Sequence, residues 1–368
     1  MKKTTDLSRR HMLGVMGTAV VAACGLGTCP DATPSAAAAT TNKKILGDPR
    51  VRGPFPILST PYTDSGEVDF DVLGRQAQFV DWCGSPGMIW PQSGDSVDLL
   101  TMDEKLKGMD TLAKAMKGRK SALCLGVQGN TTEEMLVYAK HAEKLAPTAI
   151  ISRPPDSGKT QEDMRKYWQA LAKVVNRPVI IQTTGGTKYR GPAPSVELLI
   201  ELGKEFPHFG YVKEEAANTM ERMRKLLAAR PAIKRIFSAA GGFGWLHQCR
   251  IGSEGLVTER AVYADLLAFI WKSYDGGNLA AATDAFAKLM FILNLKDTIP
   301  GNQLRGYHLY VWQKRGVFKN TLSRHYGPKN SIPKKPIVSG MELTPDMIEE
   351  IDMRFEALAP YLKKGKFA

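Results

Sequence analysis

Lys213 closes a short apolar run, Phe209-Gly210-Tyr211-Val212, and is followed by Glu214, Glu215 and a helical pattern. An ammonium at the carboxyl end of a buried strand is costly unless water, a carboxylate or chemistry gives it a reason to be there. Desolvation favours the neutral amine, and a neutral amine attacks a carbonyl carbon to give a Schiff base. The plainer reading is a strand-end lysine that reaches solvent beside Glu214. A second candidate is Pro91-Gln92-Ser93-Gly94-Asp95-Ser96, after an earlier apolar run. Glycine among small polar side chains lets backbone amides approach a carboxylate closely, although a tight turn has the same composition. Gly241-Gly242-Phe243-Gly244 reads in the same two ways. His141, His208, His247, His308 and His325 lack metal-ligand spacing, so neither a metal nor a cofactor is expected.

Short apolar runs at 55–60, 88–90, 122–127, 149–152, 179–183, 211–213, 236–239 and 255–257 alternate with amphipathic helical patterns. Thr101 with Glu104, and Thr131 with Glu134, have the spacing of capping boxes at helix starts. Asn218 or Thr219 opens a third helix, with Met223, Leu226 and Leu227 on one face. Strands each followed by a helix predict an α/β fold, a (β/α)8 TIM barrel over 48–260, with active-site residues at the carboxyl ends of the strands. An open doubly wound sheet is the alternative, but no Gly-x-Gly-x-x-Gly follows the first strand. Beyond Thr258 the pattern turns helical over 261–273, 279–293 and 302–315. A Pro/Lys-rich loop at 326–339 precedes a last helix opened by Thr344-Pro345, so 261–368 is a C-terminal helical region.

Residues 1–40 read as an export signal. Ser8-Arg9-Arg10-His11-Met12-Leu13 is a twin-arginine pattern, and the weakly apolar stretch after it is too short to span a bilayer. Val21-Ala22-Ala23-Cys24 would leave a lipid tether on Cys24, whereas the alanine run at 36–39 offers cleavage to a soluble periplasmic or secreted product. Removing 1–40 takes Lys2, Lys3, Arg9 and Arg10 but also Asp6 and Asp31, so the net charge falls from +13 to +11. Between Lys296 and Lys335 stand nine Lys or Arg and one acid, which reads as a solvated basic surface. No nucleic-acid motif accompanies it, so no nucleic-acid partner is expected. Cys83, Cys124 and Cys249 are odd in number and widely spaced, giving no disulfide framework; Cys124 reads as a buried small hydrophobe.

Thr60-Pro61-Tyr62, Gly66-Glu67-Val68-Asp69, Ser93-Gly94-Asp95 and Leu100-Thr101-x-x-Glu104 together resemble the opening of the dihydrodipicolinate synthase and N-acetylneuraminate lyase family. Val212-Lys213-Glu214 falls where that family has its Schiff-base lysine. Gly252-Ser253-Glu254-Gly255-Leu256-Val257-Thr258 is similar to its last barrel strand, and Arg315-Gly316 and Leu343-Thr344-Pro345 resemble its C-terminal helices. The likeness covers roughly 50–358. It implies a barrel that assembles as a homo-oligomer, dimer or tetramer, and forms an imine between Lys213 and a 2-oxo acid or sugar-derived acid. A carbon–carbon or carbon–oxygen bond is then made or broken alpha to the imine, whose positive charge acts as the electron sink.

The resemblance also implies that Gln92, Ser93, Gly94 and Asp95 hold the substrate carboxylate, and that Gln182 with Thr183 contacts the substrate. The chain departs from the family pattern around the lysine. Gln182 stands where the family has a proton-relaying tyrosine, Gln92-Ser93 where it has a double threonine, and Pro155-Asp156 where it has a tyrosine pair. An amide cannot act as a general acid or base, which argues against dihydrodipicolinate synthesis itself. Asp156, which is also expected to contact the substrate, Glu214 and Tyr189 are candidate replacement proton donors, each with an ordinary polar-loop reading beside it. The expected activity is thus an exported aldolase-type lyase. The alternative is a barrel that binds a small acid or a partner without turnover.

Overall fold

The computed structural model describes residues 46–297, 299, 304–325, 337–340 and 343–367. The twin-arginine pattern, Cys24 and most of the Pro/Lys-rich loop lie outside the described residues. Among those described, no helix is long and apolar enough to cross a membrane.

Strands and helices alternate from the start: β1 (Gly53–Pro56), α1 (Phe70–Trp82), β2 (Gly87–Trp90), α2 (Met102–Ala115), β3 (Ala122–Gly126), α3 (Thr132–Leu145), β4 (Ala149–Ser152) and α4 (Gln161–Ala172). The order continues with β5 (Val179–Gln182), α5 (Val196–Glu205), β6 (Tyr211–Lys213), α6 (Thr219–Ala228), β7 (Arg235–Phe237), α7 (Trp245–Ile251) and β8 (Gly255–Thr258). Strands β2 to β7 form one six-stranded sheet, and β1 pairs with β8 in a second. All of these pairings are parallel. Parallel bridges Ile57–Ile89 and Ser238–Leu256 join the two sheets. Backbone bonds Leu58 N to Ile89 O (2.9 Å) and Val257 N to Ser238 O (2.8 Å) hold those joins. The barrel therefore has six continuous ladders and two seams made of bridges.

The helix starts follow their capping chemistry. Thr101 accepts from Glu104 N while Glu104 Oε2 accepts from Thr101 N, a complete capping box. Thr131 accepts from Glu134 N, but the Glu134 carboxylate turns to Asn130 N instead. Thr160 and Asp163 form a further complete box that the sequence reading missed.

Strand alternation divides the core in two. Phe55, Ile89, Cys124, Ile151, Ile180, Tyr211, Phe237 and Val257 face one another inside the barrel. Their neighbours Met88, Leu125, Ile150, Ile181, Val212 and Leu256 face outward into the larger cluster under the helices. Phe55 and Phe237 meet edge to face at 5.6 Å, so the lumen is filled at this level. Tyr211 belongs to this plug, two residues before Lys213 and on the same inward face. Cys83, Cys124 and Cys249 are free and buried.

After the barrel come α8 (Ala264–Asp275), α9 (Leu279–Leu293), α10 (Leu304–Lys314), β9 (Leu322–His325), β10 (Ile337–Gly340) and α11 (Pro345–Glu356). The antiparallel β9–β10 pair is a departure from the expected helix-and-loop ending. A second departure concerns the basic stretch. Arg315 is buried on Asp265, with bonds of 2.9 and 2.5 Å, and lies over the Phe79 ring. Arg324 holds Glu104 through bonds of 2.8 and 2.6 Å and lies over Tyr62. These two guanidiniums tie the C-terminal region to the barrel rather than forming a solvated surface.

Candidate active site

Two residues beyond the apolar plug, the same inward face turns polar. Ile151 gives way to Arg153, Ile180 to Gln182, Tyr211 to Lys213 and Val257 to Glu259. Period-two alternation thus sets four side chains with donors or charges in one layer at the carboxyl ends of the strands.

Lys213 ends β6 and is 3% exposed. It lies directly opposite Gln182 in the β5–β6 register, which places both side chains on one face. Its Nζ donates to Gln182 Oε1 at 3.3 Å and stands 3.4 Å from Glu215 Oε1. Gln182 Nε2 donates to Thr184 Oγ1 at 2.9 Å, and Thr184 in turn donates to Glu215 Oε1.

Glu214, a candidate proton donor from sequence, is fully buried and turned away from the amine. Its Oε1 accepts from Thr183 Oγ1 and Ala216 N, both at 2.9 Å, and its Oε2 from Arg222 Nε at 3.1 Å. Thr183 follows directly after β5 with the parity opposite to Gln182, and its oxygen also accepts from Glu215 N at 2.9 Å. It braces the turn after Lys213 and does not face the lumen, a correction to the expected substrate contact. The Tyr189 hydroxyl donates to Pro192 O at 2.6 Å within its own loop. Glu215, passed over in the sequence reading, is the carboxylate that meets the lysine.

The loop after β2 leaves the strand through a cis Trp90–Pro91 peptide. Gly126 on β3 packs so close that a Cβ there would lie 1.8 Å from Pro91 O, so only glycine fits. Gln92 is buried; its Oε1 accepts from Ser93 N at 2.5 Å. Ser93 Oγ accepts from Arg153 Nη1 at 2.6 Å. Gly94 has φ +96° and lies against Glu259, the nearest atom to an added Cβ being Glu259 Cβ at 3.3 Å. Asp95 points the other way, accepting from Thr60 N at 3.0 Å and from Thr60 Oγ1. Its expected share in gripping a carboxylate is instead a brace between two loops.

Arg153, also missed from sequence, binds Ser93 and the Asp98 carboxylate. Burial raises the Asp98 pKa, but the adjacent Arg153 outweighs it and the net shift is downward. The loop after β5 closes over this guanidinium, since a Cβ on Gly186 would reach Arg153 Nη2. Asp156, in the next turn, has its pKa raised chiefly by burial, against the pull of Arg153. Glu259 is raised by burial but lowered on balance by Arg260 and Lys213; Arg260 Nη2 lies 3.1 Å away. The other Arg260 nitrogen, Nη1, meets His308 Nε2 at 2.6 Å, bringing α10 to the barrel mouth. Among the described residues no group of three or more His, Cys, Asp or Glu is placed to hold a metal ion.

The arrangement offers a buried amine, a carboxylate in contact with it, and a neighbouring loop backed by a guanidinium. Known proteins share this fold. 4-Hydroxy-tetrahydrodipicolinate synthase of Bacillus velezensis is 25% identical over 239 residues, 64% of this chain and 80% of that protein. Its counterpart in Rhizobium meliloti is 28% identical over 204 residues, 52% and 68% of the two chains. Dihydrodipicolinate synthase from Aquifex aeolicus superposes with a TM-score of 0.69 at 18% identity, covering 85% of this chain and all of that one. Proteus mirabilis N-acetylneuraminate lyase gives 0.68 at 17% identity, covering 85% and 99%. A prophage protein of E. coli K12 from the dihydrodipicolinic acid synthase family, solved in complex with pyruvate, gives 0.69 at 14%, covering 84% and 99%. These likenesses to solved structures establish the shared fold, and the family model for the dihydrodipicolinate synthetase family matches residues 50–302. This chain belongs to the dihydrodipicolinate synthetase family.

Proposed function

We propose that the protein is an imine-forming lyase of the aldolase type, acting on a 2-oxo acid or a sugar-derived 2-oxo acid. The observation that carries this reading is the position of Lys213, buried in the polar layer with its amine on Gln182 and Glu215. The neutral amine adds to the C2 carbonyl, and the carbonyl electron pair passes to oxygen as the N–C bond forms. Loss of that oxygen as water, with two protons, leaves a protonated imine. The imine withdraws electrons from C3, so a bond there can break without a free carbanion. The substrate carboxylate is held at the Ser93–Gly94 segment, where it would take the Ser93 amide over from Gln92 Oε1, with Arg153 behind Ser93 supplying positive charge. Gln182 orients the amine and cannot itself carry a proton. The pyruvate complex of the E. coli K12 relative supports a short 2-oxo acid as the core of the substrate.

We further propose export by the twin-arginine route, on the strength of Arg9-Arg10 and the following apolar stretch, and a homo-oligomeric state. Borohydride reduction of the mature protein with a panel of 2-oxo acids, followed by peptide mass spectrometry, tests the chemistry. The expected result is a reduced adduct on Lys213 that is absent from Lys213→Ala. A folded protein that yields no adduct with any acid would instead favour ligand binding without turnover.

A further inference from the structure

Four side chains close a ring around the amine: Lys213 to Gln182 (3.3 Å), Gln182 to Thr184 (2.9 Å), Thr184 to Glu215, and Glu215 back to Lys213 (3.4 Å). Donor and acceptor chemistry fixes the protons in it. An ammonium only donates, so Gln182 must present Oε1 to Lys213 and Nε2 to Thr184. Thr184 Oγ1 then accepts from Gln182, which leaves its own hydrogen to point at Glu215. Both arms of the ring therefore end on one carboxylate. The Glu215 backbone is held as well, its N donating to Thr183 Oγ1 at 2.9 Å.

We propose that Glu215 is the proton-transfer group of this site. The inference rests on the imine reading above. In the forward direction, Glu215 takes a proton from the Lys213 ammonium, freeing the amine to attack the carbonyl. As the protonated imine forms, the nitrogen passes one proton to the former carbonyl oxygen and Glu215 returns its own to the departing hydroxyl, which leaves as water; Glu215, again a carboxylate, then accepts a proton from C3. The C3–H electron pair becomes the C2–C3 double bond, and the C=N π pair returns to nitrogen, giving a neutral enamine. The reverse delivers the proton to C3. The other carboxylates near the lysine are committed elsewhere. Glu214 is buried on Arg222 and Thr183, and Glu259 is paired with Arg260. Position 215 lies two residues past Lys213, on the parity of the inward face, so a carboxylate there is aimed at the amine by the backbone itself. Gln182 and Thr184 are positioning residues: they orient the lysine and the carboxylate without changing protonation state.

The test follows exchange of the C3 protons of a trapping 2-oxo acid with deuterium by NMR, alongside borohydride trapping, in the wild type and in Glu215→Gln and Glu215→Ala. Circular dichroism monitors folding. The expected result is that Glu215→Gln still yields the reduced Lys213 adduct at equilibrium while C3 exchange falls about 10²–10⁴-fold. Formate, a small carboxylate, should restore part of the exchange in Glu215→Ala. A merely structural role would not respond to formate. Exchange at the wild-type rate in folded Glu215→Gln, or no formate rescue of Glu215→Ala, overturns the role of Glu215. The same holds for a wild type that traps the acid yet exchanges nothing. A wild type that traps no acid at all overturns the imine reading instead, so the two failures are distinct.

Discussion

Arg153 Nη1 stands 2.6 Å from Ser93 Oγ, joining the end of β4 to the loop after β2 across the barrel mouth. The guanidinium is 4% exposed and its other end is occupied by Asp98. It thus presents a fixed positive charge behind the segment assigned to the substrate carboxylate. Arg153→Met is expected to raise the 2-oxo acid concentration for half-maximal trapping by about tenfold, the loss of one charge-assisted contact of about 1.4 kcal/mol. Arg153→Lys should recover part of that, since the charge stays and the fork is lost. An unchanged concentration dependence in Arg153→Met would place the carboxylate elsewhere.

Glu214 and Arg222 make a pair at 3.1 Å in which the carboxylate is wholly buried. Removing one partner strands the other, so Arg222→Met is expected to destabilise the protein by about 3–5 kcal/mol. Chemical denaturation measures this directly. A smaller loss is expected from Glu214→Gln, which keeps an acceptor for Thr183 Oγ1 and Ala216 N. If Arg222→Met unfolds at the wild-type midpoint, the pair does not hold the turn after Lys213.

His308 is enclosed by Arg260, Tyr263 and Tyr307, with ring distances of 5.8 Å and 3.9 Å to the two tyrosines. Burial, with Arg260 adding to it, drives its pKa well below 6.5, so the folded protein keeps it neutral. The unfolded chain protonates it near 6.5 and binds the extra proton below that value. Stability from this residue is therefore complete above pH 6.5 and declines as the pH falls, by up to ~1.4 kcal/mol per unit. His208, also shifted down chiefly by burial, adds in the same direction. Urea midpoints at pH 7.5 and 5.5 should differ, and His308→Gln should reduce the difference.

Gly126→Ala tests the close approach of β3 to the loop after β2. Its Cβ would meet a backbone carbonyl at 1.8 Å, and a main-chain atom has no rotamer by which to yield. The expected outcome is a loss of several kcal/mol, or a displaced loop with weaker trapping of the 2-oxo acid at a retained fold. Wild-type stability together with wild-type trapping would show that the segment Pro91–Gly94 moves freely.

The barrel was legible because its strands are apolar on both faces and its helices open on marked caps. Lys213 was legible because a lysine ending such a run demands a reason. Arg153, Glu215 and Glu259 were passed over, although a signal existed. Each lies two residues beyond an inward-facing neighbour, and extending the period of two past the strand end reaches all three. The choice between Glu214 and Glu215 depends on that parity, which a helical pattern starting nearby obscures. Thr160, with an aspartate at its third position rather than a glutamate, hid its capping box. The pairings of Arg315 with Asp265 and Arg324 with Glu104 span 50 and 220 residues, and no local pattern carries them. The β9–β10 ribbon is two strands of four residues separated by a Pro/Lys-rich stretch, which reads as loop when taken alone.

The ring of aromatic and aliphatic side chains beneath Lys213 turns the barrel into a room with a single door. Phe55 and Phe237 pack edge to face within the buried cluster beneath the amine, so the route in and out lies at the carboxyl ends of the strands. A cleavage that frees one fragment while the other stays bonded to Lys213 must then send the free fragment out past the covalent one. On the imine chemistry proposed above, release would be ordered, with the unattached product departing first and water following it in to free the second. In the synthetic direction of the same proposal the traffic would reverse, the acid that becomes attached arriving before its partner.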